Sequence, residues 1–417
     1  MKGLAGISRM LYYKRYELAL RKTFPYKTLE VLGPEHEFSL VNSEMKPMPI
    51  VEKVINEYYG RIANFICLPK FAFRTEFPLH IIELKAANPF KSPQIFEEIM
   101  QNAIATFLDF VGEKYHAQLL GTGMHPLLYL KETGLLPCSE VAKELRKIFP
   151  LARHGWLNLQ SFQLNLPYST EDEAILLYNA LINLCTYLPA LSASSPICEG
   201  HLIPYVDFRL YHYKIKSLEV PSVAGDVVPE HIFSFNQFRN QVSDVYLRDL
   251  ANAGVSTKTF VDYINQRAVV LKFARKAVEM RVMDEQECIK SDVALSCFVS
   301  STIRGLMAIN TEILPHQLLV NDYNSIIENG LEAEVQHFAG KTARQVCQYF
   351  FNLASKYANE TEKKYLWIVK KRIKEGNLSD LIRRRVLNKA QRTTFEEAII
   401  SVYSKLAECL SDNQPYF

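Results

Sequence analysis

The sequence predicts an α+β fold built on a sheet with one polar face, and three observations predict it. Candidate strands alternate polar and apolar residues, as in Gln163-Leu164-Asn165-Leu166, which suits a sheet backed by helices on one side and open to a wet site on the other. Long stretches of helical periodicity separate most of the strands. Neither G-x-G-x-x-G nor G-x-x-x-x-G-K-[ST] occurs, which weighs against a doubly wound nucleotide fold.

Six segments read as strands: 29–41, 79–86, 117–122, 157–166, 205–213 and 268–282. Residues 1–24 are basic and partly amphipathic (Lys2, Arg9, Lys14, Arg15, Arg21, Lys22). Glu17 interrupts what would otherwise resemble a transit peptide, so an integral N-terminal helix and a cytoplasmic protein are expected. After Asn88-Pro89, the stretch 92–115 carries Ile95, Phe96, Ile99, Ile104, Phe107, Leu108 and Val111 at helical spacing. Ser92 stands as its N-cap and Pro93 at the first helical position. Thr170 and Glu173 fit a capping box that opens a helix over 169–191, and 292–309 is a further apolar helix. From 316 to 417 the chain is helical and polar.

Composition sets outer bounds. The 417 residues are 48% hydrophobic and 22% charged, ordinary for a globular protein. A net charge of +3 gives no argument for nucleic acid. Basic clusters at Lys363, Lys364, Lys370, Lys371, Arg372 and Lys374, and at Arg383, Arg384, Arg385, Lys389 and Arg392, read as solvated helical faces. Eight cysteines without a C-x-x-C pair read as buried free thiols in a reducing compartment. No apolar run reaches transmembrane length.

The chemistry lies in the acids. Residues i and i+2 of a strand share a face, so Glu35 and Glu37 point one way while His36, Phe38 and Leu40 point the other. His36 and His80 read as structural. Glu76 and Glu83 are an odd number of residues apart, but Pro78 breaks the strand between them and leaves both free to face one site. Gln163 and Asn165 share a face of another strand, and Glu279 and Arg281 share a face of a fourth. A single strand glutamate is more often exposed or salt-bridged than a ligand. Five together would repel strongly unless cations sat between them. Hard oxygen donors suit magnesium or manganese rather than zinc, and an arginine beside them suits a phosphoryl group.

Gly33-Pro34-Glu35-His36-Glu37-Phe38 resembles the G-x-E-x-E-F opening strand of glutamate–cysteine ligases and related carboxylate–amine ligases. Thr75-Glu76-Phe77 with Ile82-Glu83-Leu84 resembles that family's T-D-F…L-E-L segment, and Gln163-Leu164-Asn165-Leu166 its plant-type Q-x-N-L strand. Leu191-Ser192-Ala193-Ser194-Ser195-Pro196 with Glu199-Gly200, Arg209 of an S-x-R, the E-x-R-x-x-D of Glu279, Arg281 and Asp284, and a looser Gly121-Thr122-Gly123-Met124-His125-Pro126 complete the resemblance, over about 29–307. Asp207 replaces the serine of S-x-R, and Glu76 stands where aspartate is usual.

The resemblance implies a glutamine-synthetase-like fold: a curved, mainly antiparallel six-stranded sheet forming a funnel covered by helices. It implies a catalytic domain over 1–315 and a helical region over 316–417. The implied activity is ATP-dependent amide formation through an acyl phosphate. Metal ligands would be Glu35, Glu37, Glu76, Glu83, Gln163 and Glu279, holding Mg2+ or Mn2+. Arg281 and Arg209 would serve ATP and the transferring phosphoryl group, and Asn165 and Gln163 the substrate. Small molecules are the expected partners, glutamate the favoured acid and cysteine the first amine, with neither nucleic acid nor membrane. Three alternatives stay open: another amine, a non-catalytic nucleotide- or amino-acid-binding member, and metal-dependent hydrolysis without ATP.

Overall fold

Alternating apolar residues and tight turns produce ten strands that matter here: β1 (Gly33–Val41), β2 (Phe65–Cys67), β3 (Phe71–Thr75), β4 (Ile81–Ala86), β5 (Gln118–Leu120), β6 (Ser161–Pro167), β7 (Ile197–Cys198), β8 (His201–Leu202), β9 (Val269–Lys272) and β10 (Ala277–Asp284). The computed structural model describes residues 26–60, 65–136, 140–256, 264–309, 312–338 and 340–417. The N-terminal helix expected over 1–24 lies outside them, as does Cys138.

The main sheet has eight strands in the order β2-β3-β4-β1-β6-β10-β9, with β5 pairing the end of β1. Every pairing in it is antiparallel. The α+β class with a mainly antiparallel sheet is therefore as expected, with two corrections to its parts. Strands β2 and β3 enlarge the sheet beyond six, and segment 205–213 is not one of its strands. Asp207 caps a helix there, Phe208–Ile215, its carboxylate accepting the Leu210 N–H at 2.9 Å. The aromatic residues favour a strand locally, but Arg209, Leu210 and Tyr213 are buried at helical spacing, so tertiary packing decides. The segment 268–282 is also not continuous. A tight turn at Phe273–Arg275, ending on Lys276 with φ 47°, folds it into the β9–β10 hairpin.

The break expected at Pro78 is present: β3 ends at Thr75 and β4 begins at Ile81. One irregularity matters later. Strand β10 pairs Met280 with Leu164 but Met283 with Phe162, so one extra residue bulges between them.

Helices Pro93–Tyr115, Glu171–Cys185 and Ile289–Ala308 cover the apolar face, where Phe38, Leu84, Phe162 and Leu164 share a core with Phe96, Leu181 and Phe298. The Thr170–Glu173 capping box forms as expected. Ser92 occupies the N-cap ahead of Pro93, although its hydroxyl donates to Gln94 rather than capping. Later helices, including His316–Asn329, Ala343–Tyr357 and Leu366–Glu375, add Tyr323, Phe350 and Ile368 to the same core. No helix among the described residues is long and apolar enough to cross a membrane.

Candidate active site

Antiparallel register assembles the site on the polar face. Glu37 of β1 stands opposite Glu83 of β4, and Glu35 stands between Lys85 of β4 and Gln163 of β6. Glu279 of β10 stands opposite Asn165 of β6. Glu76 reaches the same face from the turn after β3.

The five acids divide into two groups. Oxygens of Glu37, Glu76 and Glu83 all lie within 4.8 Å of one another. Burial, then Glu83, pushes the Glu37 carboxyl up to about 7. Burial, then Glu76, pushes Glu83 up to about 8, and burial and Glu37 raise Glu76. Oε2 of Glu83 is buried without a hydrogen-bond partner. Glu37 accepts the Ser161 N–H at 2.7 Å and the Ser161 hydroxyl at 3.0 Å. The Gln163 amide donates to Glu37 at 3.3 Å and so stands beside the trio.

Glu35 and Glu279 are different. Lys85 lies 2.8 Å from Glu35 and 2.7 Å from Glu83, and Arg275 lies 2.5 Å from Glu35. Burial alone would lift the Glu35 carboxyl, but Lys85 and Arg275 hold it well below the usual carboxylate range. Glu279 lies 2.6 Å from Arg281 and 2.9 Å from Lys272, which outweigh its burial and lower it. Asn165 donates to Glu35 at 3.1 Å.

Arg209 is buried, with its Nε 2.5 Å from Asp284. Asp207 is buried beside this pair, and burial and Asp284 raise it well above the usual aspartate value. It serves as an inward helix cap rather than a surface contact. His36 lies on the far side of the sheet, 3.1 Å from Glu285, whose other oxygen accepts the Glu37 N–H at 2.9 Å. Burial would lower His36, but Glu285 and Asp292 raise it to about 9. Burial drives His80 down to about 3, so it is neutral.

Two confluent cavities of about 230 and 280 Å³ run over the trio, sharing Glu37, Glu76, Gln163 and Arg281. A third, of about 280 Å³, continues past Glu35, Asn165 and Arg275 against Val31, Pro89 and Pro167. The sequence reading missed the cations Lys85, Lys272 and Arg275. Lys85 had a signal, since it lies two residues beyond Glu83 on one strand face. Lys272 and Arg275 were hidden inside a segment read as unbroken strand.

The basic C-terminal residues are partly used inside the fold. Arg372 is buried 2.7 Å from Glu287, Arg383 donates to the Ile203 and Tyr205 carbonyls, and Lys363 pairs with Glu360. The described cysteines are free, and all but Cys67 are buried.

The fold and the acid-and-cation face accompany a family match that gives the class, ligases that couple a carboxylate to an amine. Residues 31–405 match the model of glutamate–cysteine ligase family 2, and the chain belongs to that family. An uncharacterized protein of Archaeoglobus fulgidus is 37% identical over 388 residues, 93% of this chain and 100% of that one. Among solved structures, the glutamate–cysteine ligase of Francisella tularensis in complex with AMP is similar with a TM-score of 0.64 and 13% identity, over 92% of this chain and 90% of that one. A bifunctional glutathione synthetase from Pasteurella multocida gives 0.58 at 13% identity, over 96% and 54%. The ligase PafA, in its complex with the ubiquitin-like protein Pup, gives 0.52 at 10% identity, over 92% and 72%. These likenesses establish a shared fold.

Proposed function

We propose that this chain is an ATP-dependent ligase that joins a carboxylate to an amine through an acyl phosphate, with glutamate as the favoured acid and cysteine as the first amine. The observation that carries the reading is the trio Glu37, Glu76 and Glu83. Three converging carboxylates, Glu83 buried with an orphaned oxygen and Glu37 and Glu76 half-buried, are costly to ionise together unless a cation joins them. Their all-oxygen donor set fits Mg2+, or Mn2+ in its place. Bound there, the metal would neutralise phosphate oxygens of ATP during transfer.

The remaining roles follow from what holds each side chain. Arg281, oriented by Glu279, and Arg209, oriented by Asp284, carry positive charge to the cavity where charge on a transferring phosphoryl group would need it. A substrate carboxylate would attack the γ-phosphorus, giving the acyl phosphate and ADP. The amine would then displace phosphate and lose a proton. Lys85 and Arg275 keep Glu35 ionised at the end of the site beside the third cavity, where Asn165 fixes its orientation. No cysteine has a part in this scheme. The AMP in the Francisella ligase structure supports a nucleotide on the same fold.

The test is a substrate panel. Purified protein with magnesium and ATP is given glutamate, with and without candidate amines, and ADP and product mass are followed. Product formation that needs both acid and amine is expected. ADP release indifferent to either would replace the ligase reading with a hydrolytic one.

A further inference from the structure

The cavity over Glu37 contains one cation that the scheme above leaves unused. Lys216 caps the helix Phe208–Ile215 and lines that cavity with Arg209 and Arg281. Those two arginines each have a carboxylate partner on the protein, in Asp284 and Glu279. Among the described residues Lys216 has no carboxylate within ion-pair distance. Its ammonium lies 4.1 Å from the Tyr213 ring centroid and 5.2 Å from that of Trp156.

The placement is built rather than incidental. The Trp156 indole N–H donates to the Lys216 carbonyl at 3.1 Å. Gly155 lets the two segments meet, since a Cβ there would stand 2.6 Å from the Lys216 Cβ. Burial, then Arg281, draws the ammonium down to about 7 against the pull of Glu37. The amine so held has aromatic faces on its flanks and opens on the cavity, where a bound anion would keep it protonated. With metal on the trio and both arginines paired, it is the cation left over on this wall of the cavity among the described residues.

We infer that Lys216 binds a carboxylate that a substrate does not use in the reaction, so that this site selects amino acids over simple acids and simple amines. The inference rests on the ligase reading and names its specificity residue. The carboxylate belongs either to the acid or to the amine, and decarboxylated analogues separate the two. 4-Aminobutyrate lacks the α-carboxylate of glutamate, and cysteamine lacks the carboxylate of cysteine, while each keeps its reacting group.

The experiment compares wild type with Lys216→Met, which keeps an unbranched stem, and with Lys216→Arg. Wild type should prefer one parent amino acid over its analogue. Lys216→Met should raise KM for that parent by about 10- to 100-fold, the worth of one charged hydrogen bond, and erase the preference. Lys216→Arg should restore most of it. If the glutamate pair responds, the carboxylate is the acid's; if the cysteine pair responds, it is the amine's. A Lys216→Met enzyme that keeps both preferences overturns the inference while leaving the ligase reading intact. Titration calorimetry of glutamate and cysteine covers the converse. Binding lost in Lys216→Met without any turnover in wild type would keep Lys216 and remove the ligase reading.

Discussion

The two halves of the acidic sheet face contain the same residue type in opposite electrostatic states. Glu35 and Glu279 each touch two cations of the protein and stay ionised despite burial. Glu37, Glu76 and Glu83 have Lys85 at Glu83, with Arg74 pulling on Glu76 and Arg209 on Glu37, and are still pushed toward protonation. The difference teaches that clustering alone does not mark a metal site. On the proposed reading, what marks it is the subset of acids that the chain neutralises least. We propose that Glu35 and Glu279 anchor Lys85, Arg275, Lys272 and Arg281 on this face.

The largest expected effect comes from the uncompensated half. Glu83→Gln keeps the shape and removes a charge, and ADP formation should fall roughly 10³-fold or more, equivalent to several kcal/mol of lost charge stabilisation. Its circular dichroism should stay that of the wild type. Near-normal ADP release from this variant would collapse the distinction between the halves. Glu279→Gln attacks the compensated half. It leaves Lys272 and Arg281 facing each other in a buried setting, and denaturant melts should show a loss of about 3 kcal/mol. Glu76→Gln should cost far less in the same melts without metal, because it relieves repulsion. Equal losses in the two variants would erase the comparison.

The pH response sharpens it. In the folded metal-free protein Glu37 titrates at about 7 and Glu83 at about 8, against an ordinary 4.5. The fold thus holds protons that the unfolded chain has already released. The stability these groups contribute is full below 4.5 and is lost as pH rises through 7 to 8. Magnesium needs the deprotonated carboxylates, so it should raise Tm more at about pH 8.5 than at about pH 6. A magnesium shift independent of pH would mean the metal sits elsewhere. The smallest effect is a control away from both halves. Thr170→Ala, at the helix cap, should cost about 1 kcal/mol and leave turnover alone.

Much of this was legible in the residue order. Alternation in Glu35-His36-Glu37-Phe38 and in Gln163-Leu164-Asn165 assigned the two faces, and Pro78 placed the turn that frees Glu76. The caps at Ser92 and Thr170 located the starts of two helices to within two residues, while the second ends at Cys185 rather than at 191. What escaped depends on distance along the chain. That Arg275 would meet Glu35 across 240 residues, or Glu285 the backbone of Glu37 across 248, follows from strand order and not from local pattern. The helix at Phe208–Ile215 escaped because its aromatic residues favour a strand until burial at helical spacing overrides them. Lys216 escaped with it.

The bulge in β10 decides which insertions this strand can accept. Counting by twos from Glu279 and Arg281 would bring Met283 to the polar face and send Asp284 into the apolar core. The extra residue reverses this: Met283 pairs with Phe162 on the inner side, and Asp284 with Ser161 on the outer. Asp284 therefore meets Arg209 only because the strand carries one residue more than its neighbour. Loops around this sheet can lengthen or shorten with little harm, but a single-codon insertion between Met283 and Asp284 would put the new residue opposite Ser161 and turn the carboxylate away from Arg209. The length of this strand is as much a part of the site as any side chain it bears.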